Sequence, residues 1–179
     1  MAKVSLKPGT MLNPLPAVMV SCSDGDLDNV LTIAWTGIIN SEPPITYVSV
    51  RKSRYSHQLI EKSGEFVINL VNEELACSAD YCGVKSGRNE DKFAKCNLSK
   101  MPADHVKAPL IKESPVNLEC KVLEIKEYQT HDMFPCMQTR NFSMMMVEYV
   151  WILQEWLPLT TGSTSASRES PLEDLASRS

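Results

Sequence analysis

Four side chains suited to holding an anion crowd one short turn: Arg51, Ser53, Arg54 and Ser56, within VSVRKSRYSHQLIEKSG. A guanidinium grips a phosphate through two parallel N–H bonds, and hydroxyl groups add neutral donors at little steric cost. The same residues stand where an apolar run ends and an amphipathic run begins. A helix start offers free N–H groups and a partial positive charge, which favours a phosphate there. The pattern reads as a phosphate cradle made without a glycine-rich loop, although a basic turn that faces only solvent has the same composition. Upstream, AWTG sets Trp35, Thr36 and Gly37 side by side. Gly37 would let another group approach the backbone, and Trp35 is either a flat ligand platform or plain core. A ligand with a phosphate and a flat ring system would use both features.

The elements that must carry these residues follow from the apolar pattern. Residues 17–22 (AVMVSC) predict a first strand, with Asp24-Gly25 as a turn. Residues 30–38 predict the second strand, 46–50 the third and 65–70 (EFVINL) the fourth. SHQLIEKSG between the last two predicts a short helix, with Ser56 as its N-cap and Gly64 as its stop. Residues 73–81 predict a second short helix, followed by the loop CGVKSGRNEDKF. SPVNLECKVLEIKEYQTHDMF alternates for about ten positions and reads as one long half-exposed strand. Strands with short helical inserts and no βαβ rhythm predict a mainly β, antiparallel barrel.

Composition narrows the function. A chain of 179 residues with 43% hydrophobic and 22% charged residues is most simply one domain with a real core. A net charge of −4 gives no reason to expect nucleic acid. The N-terminal text lacks an apolar run of signal-peptide or membrane length, so no membrane partner and a cytoplasmic location are expected. Its six cysteines form no C-x-x-C pair and its three histidines are scattered, so no metal site is expected and the thiols read as reduced and mostly buried. Cys82, beside Gly83, keeps a candidate place near a cleft. No dinucleotide fingerprint, P-loop or hydrolase elbow is present. His57, just inside the helix start, is a candidate proton donor or simply a solvated or capping histidine.

NVLTIAWTGIINSEPPITYVSVRKSRYSHQLIEKSGEFVINL, with DYCGVKSGRNEDKF after it, closely resembles the flavin reductase-like family, and its flavoredoxin-type members in particular. The resemblance spans residues 16–134 and implies a split β-barrel of Greek-key-like, antiparallel build, working as a homodimer with FMN near the subunit interface. By position, Thr32, Ala34, Trp35, Thr36 and Gly37 match the strand beside the isoalloxazine, and Ser49, Arg51, Ser53 and Ser56 match the phosphate segment. Ser86, Gly87, Asp91, Lys92 and Phe93 match a loop that closes over the flavin, and Asn29 is a further candidate. The implied activity is FMN-dependent electron or hydride transfer, from a nicotinamide donor or a redox protein. No residue is expected as nucleophile or obligatory acid, because the ring carries the chemistry. The alternative is a non-enzymatic barrel that binds another phosphate-bearing ligand or a haem.

After Phe134 the text changes to a methionine run, EYVWILQEWLPL and a Ser/Thr-rich end, which fit no barrel strand well. We therefore expect a flavin-binding domain at 1–134 with an incomplete barrel and an aberrant tail at 135–179, natural or frameshifted. Reading the last base of each codon with the first two of the next forces Ala at Met-Gln, Asp at Met-Met, Gly at Met-Val and Asp at Trp-Ile. The degenerate codons between permit ADEEFLDDDGRICLD, and later HGEYFS and GKPLGRFGFS, which resemble the family's C-terminal segment. A tail so altered would leave a sheet edge uncovered and the chain inactive. The coding DNA is expected to carry third bases that spell these segments in the shifted frame. Sequencing it checks this, and incompatible third bases would remove the frameshift.

Overall fold

The computed structural model describes residues 3–143. Strands β1 (Val18–Ser23) and β2 (Asp28–Ile33) form a hairpin. Its turn is fixed by Asp24, whose Oδ1 accepts from the Asp26 and Leu27 amides, and by Gly25 at φ +102°. Then come β3 (Thr36–Asn40), β4 (Ile45–Arg51), helix α1 (Tyr55–Ser63) and β5 (Glu65–Leu70). Helices α2 (Ala76–Val84) and α3 (Lys92–Lys95) follow, then the short strands β6 (Lys100–Met101) and β7 (Leu110–Ile111). Strands β8 (Val116–Val122), β9 (Lys126–Glu127) and β10 (His131–Ser143) complete the described chain.

The main sheet is antiparallel, in the order β2-β1-β5-β8-β10-β4-β3, with β9 beside β10. Strands β2 and β3 are consecutive in the chain yet lie at opposite ends of that order. From Ile33 to Thr36 an extended chain spans about 10 Å. Seven flat strands would put the two ends about 29 Å apart at the usual spacing of about 4.8 Å. The sheet must therefore curl until its ends meet, which makes the antiparallel barrel that the sequence predicts. Where β2 meets β4 across this closure lies the seam of a split barrel.

Both faces of β1 are covered, so all six of its residues are buried. Val18, Val20 and Cys22 point into the barrel with Val48, Phe66, Ile68 and Phe134, where Leu59 and Ile60 of α1 plug one end. Met19 faces outward into a second core with Leu75, Ala79, Phe93 and Leu98, under α2 and α3. Gly64 ends α1 in the left-handed region at φ +68°, as expected of the stop signal.

Three expectations are corrected. The run at 30–38 is two strands, broken at Ala34 and Trp35, because the chain crosses there from one end of the sheet to the other. The long strand expected at 114–134 is divided among β8, β9 and β10, since β10 folds back to pair with β8. The boundary drawn at Phe134 falls inside β10, where Phe134 and Cys136 both turn into the core and pair across to Val48 and Thr46. The methionine run and the rest of the tail lie outside the described residues.

Asn69, fully buried, is the polar hub between sheet and loops. Its Nδ2 donates to the Met19 carbonyl, and its Oδ1 accepts from the Ile111 amide and from Asn117 Nδ2 at 2.7 Å. Asn69→Leu would strand the Ile111 amide and one hydrogen of Asn117 Nδ2, whose other hydrogen keeps the Ile111 carbonyl, at about 1–3 kcal/mol each. A loss of about 2–6 kcal/mol in urea denaturation is expected, and a near-neutral result would show that the hub is dispensable.

Candidate functional site

The seam holds an open cavity of about 520 Å³, a size typical of small-molecule sites. One wall is the end of β2 (Leu31, Thr32, Ile33) and the crossing residues Ala34 and Trp35. Ser49, Val50 and Arg51 of β4 form the opposite wall, continued by Ser53, Arg54, Tyr55 and Ser56. Cys82, Lys85, Ser86, Gly87 and Lys92 close the top, and His131 stands at the rim.

The basic turn is braced from several sides. The Arg54 amide donates to the Arg51 carbonyl at 2.9 Å, and the Lys52 amide to Thr130. Arg54, extended at φ −72° and ψ 139°, is the N-cap of α1, and its side chain makes no capping bond. The expected cap, Ser56, lies inside the helix, and its Oγ accepts instead from Asn29 Nδ2 at 2.7 Å. His57 does not line the cavity. Its Nε2 meets Asp132 Oδ2 at 2.7 Å, and Lys52 Nζ meets Asp132 Oδ1 at 3.1 Å. Burial alone would raise the Asp132 carboxyl, but hydrogen bonds from His57 and Lys52 outweigh it and hold the group below its ordinary range. Asp132 therefore stays ionised and ties α1 to β10 directly behind the turn.

Trp35 packs on His131 at 4.5 Å between ring centroids. Burial and the nearby Arg51 guanidinium hold His131 below its ordinary value, so its ring is neutral near pH 7. Thr32 donates through Oγ1 to the Ala79 carbonyl at 2.6 Å, fixing β2 to α2. Lys92 is 3% exposed, and its Nζ donates to the carbonyls of Cys82 and Lys85. Gly87 packs so closely on Asn29 that a Cβ would overlap the carboxamide.

Eleven of the residues matched to the flavin site thus come together: Asn29, Thr32, Ala34, Trp35, Ser49, Arg51, Ser53, Ser56, Ser86, Gly87 and Lys92 all line the cavity, joined by the other marked residues Arg54 and Cys82. Four do not. Thr36 bonds the Tyr47 carbonyl, and the group that approaches Gly37 is the Tyr47 ring rather than a ligand. Asp91 caps α3 by accepting from the Ala94 amide, and Phe93 is buried in the outer core. His131, Tyr55 and Lys85 line the cavity without having been marked. His131 arrives as the register partner of Arg51, a pairing across 80 residues that no local pattern carries.

A split antiparallel barrel with a basic turn and a flat apolar wall at its seam defines a class of small-molecule-binding domain. The sequence profile described as "Flavin reductase like domain" matches residues 10–140. The chain belongs to the flavin reductase-like family, which is oxidoreductase in type. An uncharacterised protein of Pyrococcus abyssi is 32% identical over 69% of this chain and 71% of its own length. Flavoredoxin of Desulfovibrio vulgaris (Miyazaki F) superposes with a TM-score of 0.74 at 35% identity, over 79% of this chain and 76% of that one. An FMN-binding protein from Thermus thermophilus shares the fold, with a TM-score of 0.70 at 20% identity over 80% of this chain and 78% of that one. Among the described residues no helix is long and apolar enough to cross a membrane.

The depressed Asp132 carboxyl makes a signed prediction. A carboxylate whose folded pKa lies below its ordinary 3.8 contributes stability that is full above that value and lost as pH falls through the folded value. The stability gap between the wild type and Asp132→Asn should hold steady down to about pH 5 and narrow progressively in stronger acid. Urea midpoints across that range measure it, and a gap that does not change with pH would refute the assignment.

Proposed function

We propose that this protein binds FMN in the seam cavity and works as an oxidoreductase, with a nicotinamide or a redox protein as donor. One observation carries the reading: a single cavity has two guanidiniums and two serine hydroxyls at one end and an apolar wall at the other. Arg51, Arg54, Ser53 and Ser56 suit a phosphate monoester, whose oxygens accept from all of them. Ile33, Ala34 and Trp35, which are partly open to the cavity, suit the face of a flat ring system, backed by Leu31 and Val50 in the core. The flavin, when bound, supplies the electron and hydride chemistry. The chain's own residues bind and orient it: the β4 corner grips the charged end, Trp35 and His131 shape the open rim, and Ser86 with Gly87 narrows the mouth.

Two solved relatives support this reading through their names, one a flavoredoxin and one FMN-binding. A homodimer is part of the proposal. Its support is exposed apolar surface: Ile38 is 83% exposed on the end strand β3, and Leu12, Trp35 and Tyr128 are exposed around a second hollow beside the rim. The proposed working place is the cytoplasm.

The decisive experiment loads the purified chain with FMN, removes free ligand by size exclusion and records the visible spectrum of the eluted protein. Because β10 is paired on both sides, with β4 and with β8, through Ser143, flavin bands at one per chain in a peak of dimer size are expected despite the unusual tail. A Soret band, or no chromophore at all, would overturn the reading. NADH or NADPH oxidation by the loaded protein then separates an enzyme from an electron carrier. Arg51→Ala should weaken FMN binding by about tenfold to a hundredfold, the worth of a charge-assisted bidentate contact, while riboflavin binding barely changes. Equal losses for the two ligands in a titration would remove Arg51 from the phosphate site.

A further inference from the structure

The six thiols of this chain occupy very different places. Cys120 and Cys136 lie wholly inside the barrel, and Cys22 is buried against the Asn29 carbonyl. Cys82, in the last turn of α2, lines the cavity, while Cys96 caps the C-terminal end of α3 and is partly open to solvent. Their sulfurs stand 3.9 Å apart. A disulfide needs about 2.05 Å, an approach of about 2 Å that rotation of two short side chains can supply.

We propose that Cys82 and Cys96 form a reversible dithiol–disulfide pair, a covalent modification site that staples the loop 85–91 over the cavity mouth. The inference does not depend on what the cavity holds. The co-reactant is a small soluble disulfide of the glutathione class. Cys96, the accessible thiol, gives up its proton and attacks one sulfur of that disulfide, so that one glutathione leaves as a thiol. Cys82 then gives up its proton and displaces the second glutathione from the Cys96 sulfur. Two protein thiols are oxidised, one glutathione disulfide is reduced to two thiols, and both protons end on those thiols.

The order of attack follows from the surroundings. Burial and the neighbouring Cys96 push the Cys82 thiol up to about 12, which makes it a poor first nucleophile, so its attack waits for a mixed disulfide on Cys96, whose sulfur stands 3.9 Å away. Lys92 lies close enough to favour its thiolate. The closed ring would enclose Lys85, Ser86 and Gly87, the cavity's upper wall, together with Lys92, whose two carbonyl bonds otherwise hold that wall. Reduction would leave the wall held by those bonds, by the Tyr81–Glu90 hydrogen bond and by the contact of Gly87 with Asn29.

The test incubates the full chain in glutathione buffers of increasing oxidised fraction, blocks remaining thiols by alkylation and maps the peptides. A Cys82–Cys96 linked peptide is expected, with the chain lighter by two hydrogens, two alkylatable thiols lost, and full reversal by dithiothreitol. Cys96→Ser should abolish the link and leave Cys82 alkylatable, with Cys120 and Cys136 unchanged. Glutathione retained on Cys96 while Cys82 stays alkylatable would overturn the proposal. So would a chain whose Cys82 and Cys96 both remain reduced in the most oxidising buffer. The wild-type map decides without relying on any variant to fold.

Discussion

Two residues, Ala34 and Trp35, join strands that stand at opposite ends of the sheet, and that short link dictates the rest of the molecule. A chain of three peptide steps cannot bridge the width of a flat seven-stranded sheet, so closure into a barrel is forced. Closure at a crossing differs from closure by a full hydrogen-bonded ladder. At the seam the Ser49 amide reaches the Trp35 carbonyl at 2.8 Å, but Thr32 and Ile33 border open space between β2 and β4, while Leu31 turns into the core. The cavity is thus a consequence of topology, and the residues around it are those that topology delivers to the seam.

The charged corner depends on the same closure. Arg51 ends β4 because the chain turns there into α1, whose apolar side must enter the barrel through Leu59 and Ile60. A turn with two arginines repels itself and would spread in isolation. Here it is held from behind by Asp132, which receives Lys52 and His57, and by Asn29, which receives no charge but fixes Ser56. Asp132 comes from β10, the sheet neighbour of β4, and Asn29 from β2, which meets the turn only when the barrel closes. The cost of keeping like charges together is therefore met by folding itself, before any ligand arrives.

How much of this the sequence discloses depends on the range of the interaction. EFVINL reads as a strand and is β5 to the residue, because its short apolar run and the Gly64 stop are local signals. The break inside TIAWTGII was illegible: no proline or glycine stands at Ala34 or Trp35, and the apolar pattern runs through them. Only the distant ends of the sheet require the crossing. Ser56 has the right chemistry for an N-cap, but its hydroxyl is taken by Asn29 from another strand, and the cap passes to Arg54. Phe134 looked like the last barrel residue because the composition turns unusual beyond it, whereas pairing to β4 and β8 carries the strand on to Ser143. Asp91 and Phe93 belong to a motif that reads as ligand-facing, yet one caps a helix and the other fills a core. Local pattern finds elements and the donors they carry, and tertiary pairing decides which donors face the same space.

The two sides of the cavity are held by different kinds of interaction, and this sets which side can respond. The β4 wall and its turn are fixed by buried ionic and amide contacts, which resist displacement because any partner left behind would be a stranded polar group. The opposing loop is held by Lys92 at two carbonyls and by the contact of Gly87 with Asn29. Asn29 belongs to both sides, since its Nδ2 secures Ser56 while its Oδ1 lies against Gly87. Gly87 has no side chain to cushion that contact, so inward movement of the loop meets the Asn29 carboxamide directly. A change in loop position is therefore transmitted to Ser56 and the basic turn through one amide group, while the turn itself stays anchored to β10.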